Sequence, residues 1–151
     1  MADNKNPALE MFRKKFDTYR KVIDAEGEQK AWDTLFAGYP ERQKKNMGPM
    51  IEGVSLAKGF STGIEKYKQI GMEMEVIDIS NAGMDAVLEI QKVCPVLGMA
   101  KEFGFEKPCH IICDMDIEAT KAAFPGMHGA RLSAKADGSA VCIFKYERKA
   151  K

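Results

Sequence analysis

The chain has 151 residues, 45% of them hydrophobic and 30% charged, with a formal net charge of +1. That is the length and mixture of one globular domain. A charge so near zero supplies no pull toward nucleic acid or a membrane surface, and no apolar run is long enough to span a bilayer.

The opening stretch from Met1 to Pro7 is polar with no apolar run behind it, so no secretion leader is expected. A cytoplasmic location is expected in turn, where thiols stay reduced. The four cysteines are therefore read as reactive thiols, metal ligands or buried small residues, not as two disulfides.

From Pro7 to about Ala25, Leu9, Phe12, Phe16, Tyr19, Val22 and Ile23 recur at the three-and-four spacing of an amphipathic helix. Lys14, Lys15, Arg20 and Lys21 interleave them and are expected to form its solvated face. A second helix is expected from Glu28 to Phe36, with Trp32, Leu35 and Phe36 inward and Gly38-Tyr39-Pro40 as its stop. The basic run Arg42 to Lys45 reads as a solvated turn. A third helical segment is expected from Pro49 to Ile70. Its Gly59-x-x-x-Gly63 spacing permits close helix packing, within the chain or across a homo-oligomer, and is not a phosphate loop.

The period then changes. Met74 to Ser80 reads as a strand and Asn81-Ala82-Gly83 as a turn. A second strand runs from Asp85 to Cys94, where Ala86, Leu88 and Ile90 alternate with Val87, Glu89 and Gln91. A short helix from Pro95 to Phe103 and a longer one from Cys109 to Phe124 come next. Ala130 to Ala136 and Ala140 to Arg148 flank Asp137-Gly138, a strong hairpin signal. The expected fold is α+β: one domain over residues 1–151, with N-terminal helices packed on an antiparallel sheet built from two hairpins.

The chemistry-bearing residues lie in the last third. On a continuous helix, Cys109, Cys113 and Asp116 stand at i, i+4 and i+7 on one face, with Ile112, Met115, Ala119 and Ala122 as the core stripe. Cys109 falls in the first turn, where unpaired amides favour a thiolate. A two-residue Asp137-Gly138 turn pairs Ser133 with Cys142 and Leu132 with Ile143. Cys142, Arg131, Phe144 and Tyr146 then share a mixed polar and aromatic face suited to lining a site. His110 and His128 stand alone and read as surface residues.

The series Cys94-Pro95, Gly104-Phe105, Cys109, Cys113-x-x-Asp116, Pro125 and Asp137-Gly138-x-x-x-Cys142-x-Phe144 resembles the L-2-amino-thiazoline-4-carboxylic acid hydrolase-like family over about Val87 to Tyr146. That resemblance implies the opening of a small cyclic thiazoline amidine by water. Cys113-x-x-Asp116 with the later Cys142 is also similar to the two cysteines and aspartate of organomercurial lyases. The ending from Asp137 to Phe144 is similar to that of the 4-vinyl reductase-like domain, which implies a cysteine zinc site or an aromatic effector.

Three readings are open. The leading one is a thiol-dependent hydrolase or lyase on a small-molecule substrate, without a cofactor. Cys113 would be its nucleophile, Asp116 its base and Cys109 or Cys142 its second thiol. The alternatives are a zinc or iron–sulfur site on Cys94, Cys109, Cys113 and Cys142, and a small-molecule sensor with a pocket between the sheet and the Cys109 helix.

Overall fold

The computed structural model describes residues 6–151. α1 (Pro7–Glu26) begins where Asn6 caps it, its side-chain oxygen accepting from the Ala8 amide at 2.9 Å, with Pro7 in the first turn. Phe16 and Tyr19 of its apolar stripe are fully buried, and Leu9, Phe12, Val22 and Ile23 pack around them. α2 (Glu28–Phe36) comes after Gly27 and brings Trp32, Leu35 and Phe36 onto the same core.

The segment after Gly38 departs from expectation. The basic run Arg42 to Lys45 is not a turn but lies inside α3 (Tyr39–Ile51). The expected third helix over 49–70 is broken: α3 stops at Ile51, and two short helices, α4 (Leu56–Ser61) and α5 (Ile64–Lys68), take its place. The break has a local cause. Gly53 adopts a φ of 72°, and Ser55 caps α4 by accepting from the Lys58 amide at 3.1 Å. Gly59 does allow close packing, because a Cβ there would sit 2.5 Å from the Met50 carbonyl oxygen.

β1 (Met74–Asp78) and β2 (Met84–Gln91) form the first hairpin. Asn81 and Met84 exchange backbone hydrogen bonds of 3.1 and 2.9 Å around Ala82 and Gly83, both at positive φ. α6 (Leu97–Glu102) starts two residues after Pro95. A π-helical turn (His110–Asp114) leads into α7 (Met115–Ala123), and β3 (His128–Ser133) and β4 (Cys142–Lys149) close the chain. The sheet is antiparallel throughout, in the order β1-β2-β4-β3. It is thus the α+β architecture of two hairpins joined along β2 and β4. No helix of the described residues is long and apolar enough to cross a membrane.

The second hairpin keeps the expected register from His128–Glu147 to Arg131–Phe144 and then slips by one at a bulge, so that Ser133 faces Ile143. Its connection is longer than two residues. A 3-10 turn (Lys135–Asp137) precedes left-handed Gly138, and the Asp137 carboxylate is drawn off by Lys107 at 2.6 Å and Arg131 at 3.4 Å.

One face of the sheet meets the helices. It carries Val76, Val87, Cys142, Phe144 and Tyr146, which form a core with Ile51, Leu56, Phe60 and Ile117. A second core lies between α1, α2, α6 and α7 around Phe16, Tyr19, Met99, Ile111 and Met115. The other sheet face carries Ile77, Leu88, Ile90 and Ile143, which belong to neither core. Single-sided burial is common for antiparallel sheets.

The irregular 52–55 link is clamped to the sheet by one ion pair. Arg148 Nε donates to Asp85 Oδ2 at 2.9 Å, and its Nη2 donates to the carbonyls of Ile51 at 2.9 Å and Val54 at 2.7 Å. Both Asp85 oxygens accept from the Leu56 amide, at 3.0 and 3.1 Å. Removing one partner strands the other away from water. Arg148→Met is expected to lower unfolding free energy by about 3–5 kcal/mol, measured by urea denaturation at neutral pH; a loss below about 1 kcal/mol would reduce the clamp to a surface pair.

Candidate functional site

Cross-strand pairing puts Gln91 beside Cys142, Glu89 beside Phe144 and Val87 beside Tyr146, all on the helix-facing side. A carboxyl and an amide in the middle of that face cannot be sealed by apolar side chains. The helices leave space over them instead. A cavity of about 120 Å³ is lined by Phe12 and Lys15 of α1, Tyr39 of α3, Tyr67 of α5, Glu89 and Gln91 of β2, Cys113, Asp116, and Phe144 and Tyr146 of β4. A second, of about 200 Å³, adjoins it and reaches Gln43 and Thr120. The two share Tyr67, Glu89, Asp116 and Tyr146. A cavity of roughly 150 Å³ is enough for one benzene ring.

The two carboxyls in the shared wall are held differently. Asp116 accepts from the Tyr39 hydroxyl at 2.7 Å and from Gln43 Nε2 at 3.1 Å. Gln43 is itself fixed by donating to Thr120 at 2.8 Å. Burial raises the Asp116 carboxyl, while Tyr39, Lys15 and Gln43 work against that rise by favouring the ionised form. Glu89 has no such support. Burial first, and the nearby Asp116 charge second, push it up to about 8. No hydrogen bond or ion pair reaches its carboxyl among the described residues. At neutral pH Asp116 is therefore the better candidate for the charged carboxylate and Glu89 for the neutral acid.

The aromatic groups complete the wall. Lys15 Nζ lies 4.6 Å from the Tyr39 ring centroid and 3.4 Å from its hydroxyl; burial lowers this ammonium and Asp116 sustains it. Tyr146 is 4% exposed and its ring meets Phe60 edge-on at 5.3 Å. Burial raises its phenol well above the usual range, helped by Asp116 and Glu89. Tyr67 is pushed up to about 12, mainly by burial. A Cβ on Gly129 would meet the Tyr146 ring at 2.9 Å, so glycine on β3 is what lets this ring lie flat.

The structure brings Cys113 and Asp116 together on the cavity wall. It does not bring Cys109 there. The Asp114 amide bonds the Cys109 carbonyl at 2.8 Å, an i to i+5 closure that inserts one residue into the turn. One extra residue rotates the downstream helix by roughly 100° relative to the turn before it. Cys109 is buried instead in the sheet core near Cys142 and Arg131. The expected lowering of its thiol is reversed: burial raises it, and Arg131 only partly compensates. The core stripe ends on Ala123 rather than Ala122, which is exposed.

Cys142 is buried on the inner face of β4, and its sulfur accepts from the Lys135 amide at 3.3 Å. Cys94 is half-buried on the helical core. Cys113 touches both cores, and its thiol stands well above the ordinary range through burial and then through Cys109, Cys94 and Cys142. The four thiols thus converge without forming a ligand set. No group of three or more His, Cys, Asp or Glu side chains among the described residues is disposed to hold a metal ion.

Two cations assigned to solvent by the sequence are not there. Lys15 lines the cavity, and Arg20 stacks over Phe105 at 4.7 Å. Tyr39, Gln43, Tyr67 and Glu89 also line these cavities without standing in any motif of the sequence. The available signal was Glu89-x-Gln91 on the same face of a strand as Val87. His110 is mostly exposed but its ring stacks on Trp32 at 4.7 Å.

No protein-family model and no curated protein sequence matches the chain. Among solved structures, the phenol-responsive sensory domain of the transcription activator PoxR, crystallised with phenol, is similar at 12% sequence identity and a TM-score of 0.56. The match covers 91% of this chain and 74% of that one. At that identity the likeness is one of fold.

The unsupported Glu89 has a consequence for stability. Its carboxyl titrates near the ordinary 4.5 when unfolded and at about 8 when folded. The folded state therefore binds the proton more tightly, and stability falls as pH rises from about 4.5 through 8. Glu89→Gln is expected to remove that fall, stabilising the protein by about 2–4 kcal/mol at pH 8.5 and little at pH 4.5. Denaturant titration of both proteins at the two pH values checks this. An equal effect at both values would place the Glu89 carboxyl in water.

Proposed function

We propose that this chain is a small-molecule-binding domain of the sensory kind, and that its ligand occupies the cavity between the β2–β4 face and helices α1, α3, α5 and α7. The observation that supports it is the set of polar groups left open there. Half-buried Glu89, buried Tyr146 and the more open Tyr67, 38% exposed, line one volume, and no hydrogen bond reaches the Glu89 carboxyl or either phenol among the described residues. Polar groups withdrawn from water are ordinarily paired, so Glu89 and Tyr146 are suited to a ligand. The similarity in fold to a domain crystallised with phenol agrees with an occupant of one-ring size.

Thiol-dependent hydrolysis, as in the 2-aminothiazoline-4-carboxylate hydrolase-like family, is a second reading of the same cavity. What favours it is that Cys113 and Asp116 share its wall. The electrostatics favour it less. A nucleophilic cysteine needs a thiolate, and Cys113 is pushed strongly toward the neutral thiol. Asp116 is already engaged by Tyr39 and Gln43. Zinc or iron–sulfur binding would require the thiols to rearrange, given the absence of a ligand group among the described residues.

Thermal unfolding with one-ring probes, phenol and benzyl alcohol, tests the proposal. At ten times its Kd, a bound probe is expected to raise Tm by about 3–5 °C. Cys113→Phe, which puts a ring into the smaller cavity, is expected to abolish the shift while leaving the circular dichroism spectrum unchanged. The same samples separate the second reading. Cys113 is expected to alkylate with iodoacetamide at pH 7.5 more slowly than a free small-molecule thiol. Fast alkylation there, with no probe binding, would favour the enzyme over the sensor.

A further inference from the structure

The polar groups around the cavity are unequal, and the inequality specifies what fits. Asp116 is balanced: it receives two hydrogen bonds and faces Lys15. Lys15 in turn has the Tyr39 face and hydroxyl. Glu89 is the group left over. Its neighbours along the wall are rings, with Tyr67 and Tyr146 shared by both cavities and Phe144 directly across the ladder. A carboxyl lacking a cation, in one wall with several aromatic rings, suits an organic cation.

We propose that the occupant of this cavity is a compact organic cation, an amine on a single ring, whose ammonium group is held by the Glu89 carboxylate between Tyr67 and Tyr146, and that its arrival displaces the proton from Glu89. This rests on the small-molecule-binding reading above and names the ligand's class. No bond other than the O–H of Glu89 breaks: the carboxyl gives its proton to solvent, and the carboxylate accepts N–H donors from the ligand.

The charged and titratable groups facing Glu89 come from every surrounding element. They are Lys15 on α1, Tyr39 on α3, Tyr67 on α5, Cys113 in the π-helical turn, Asp116 at the start of α7 and Tyr146 on β4. Lys66 stands exposed at the rim of the second cavity. The two lysines oppose a cation, but Lys15 is committed to Tyr39 and Asp116, and Lys66 is in water. The phenols and the thiol all stand above their ordinary ranges, so they stay neutral in the window where Glu89 titrates.

The pH effect has a definite direction. Glu89 is mostly protonated at pH 6.5 and mostly ionised above about 8. An ammonium ligand prefers the ionised form, so its affinity rises with pH and levels off as Glu89 finishes titrating. A neutral ligand of the same shape gains nothing from that rise.

Isothermal titration calorimetry with benzylamine and benzyl alcohol tests this, since the two differ chiefly in ammonium against hydroxyl. At pH 8.5 benzylamine is expected to bind roughly tenfold or more tightly than benzyl alcohol. Between pH 6.5 and 7.5 its Kd is expected to fall by nearly tenfold, with close to one proton released per ligand in buffers of different ionisation enthalpy. Glu89→Gln, which keeps the side-chain shape, is expected to remove the proton release and bring benzylamine down to the level of benzyl alcohol. If benzyl alcohol binds and benzylamine binds no better, or binds without pH dependence, the cation inference is overturned and the binding domain stands. If neither binds to a folded protein and phenol is also silent, both fail.

Discussion

A carboxyl in the centre of a buried sheet face is the constraint to which the rest of this structure answers. Glu89 lies on the helix-facing side of β2, between Val87 and Gln91 in the same row and beside Phe144 across the ladder. An apolar side chain there would draw the helices down onto the sheet. A carboxyl without a partner instead costs free energy unless water or a ligand remains near it. The result is a division of the interior. Val87, Phe60 and Tyr146 close the sheet core at one side, and Phe16, Tyr19 and Met115 form the helical core at the other. The cavities lie where the two meet. The Asp85–Arg148 clamp maintains that arrangement from the far end of β2, holding the irregular link before α4 against the sheet.

The placement of the thiols is set by the same geometry. Cys113 is packed against both cores because it stands where they adjoin. Cys109 and Cys142 lie in the sheet core, and Cys94 leaves β2 toward the helical one. Four cysteines converging in an interior would suggest chemistry if an electropositive group held them as thiolates. Here each of Cys94, Cys109 and Cys113 is raised by burial, Cys142 raises all three further, and Cys109 and Cys94 add to the rise at Cys113. Arg131, the cation nearest Cys109, is already held by Asp114 through bonds of 2.8 and 3.2 Å. Small, polarizable, neutral side chains fill space at such a junction without demanding a partner.

Much of this fold was legible because its elements are locally consistent. The stripe from Leu9 to Ile23 defines α1, Asn81-Ala82-Gly83 defines the first hairpin, and strand spacing implies the sheet of two hairpins. Even the face carrying Cys142, Phe144 and Tyr146 could be assigned, because the register of β3 against β4 holds up to the bulge. The site was less legible, for reasons particular to its residues. Alternation in β2 separates Leu88 and Ile90 from Glu89 and Gln91 but does not say which set faces inward, and hydrophobicity alone would choose the wrong one. Lys15 looked solvated because its helix position says nothing of Asp116 and Tyr39, which reach it from residues far along the chain. Cys109 was expected on one face with Cys113 and Asp116, and is off the cavity wall, because a π-helical turn leaves no mark in a pattern of apolar spacing.

What separates a binding site from a catalytic one here is which groups are already satisfied. Catalysis requires a nucleophile and a base held ready, with their proton transfers poised near the working pH. Asp116 would be the base beside Cys113, yet it is engaged by Tyr39 and Gln43, and the thiol it would serve is held neutral. Recognition requires the opposite, a polar group kept in place and left without a partner until the ligand supplies one. Glu89 meets that description, and it is fixed by a strand in the middle of the sheet rather than by a mobile loop. The groups around it come from α1, α3, α5, α7 and β4, so an occupant would touch every layer of the domain at once. On the proposed reading, a ligand that supplied the missing partner to Glu89 would also bear on how the helices sit over the sheet, which is what sensing of its occupancy would require.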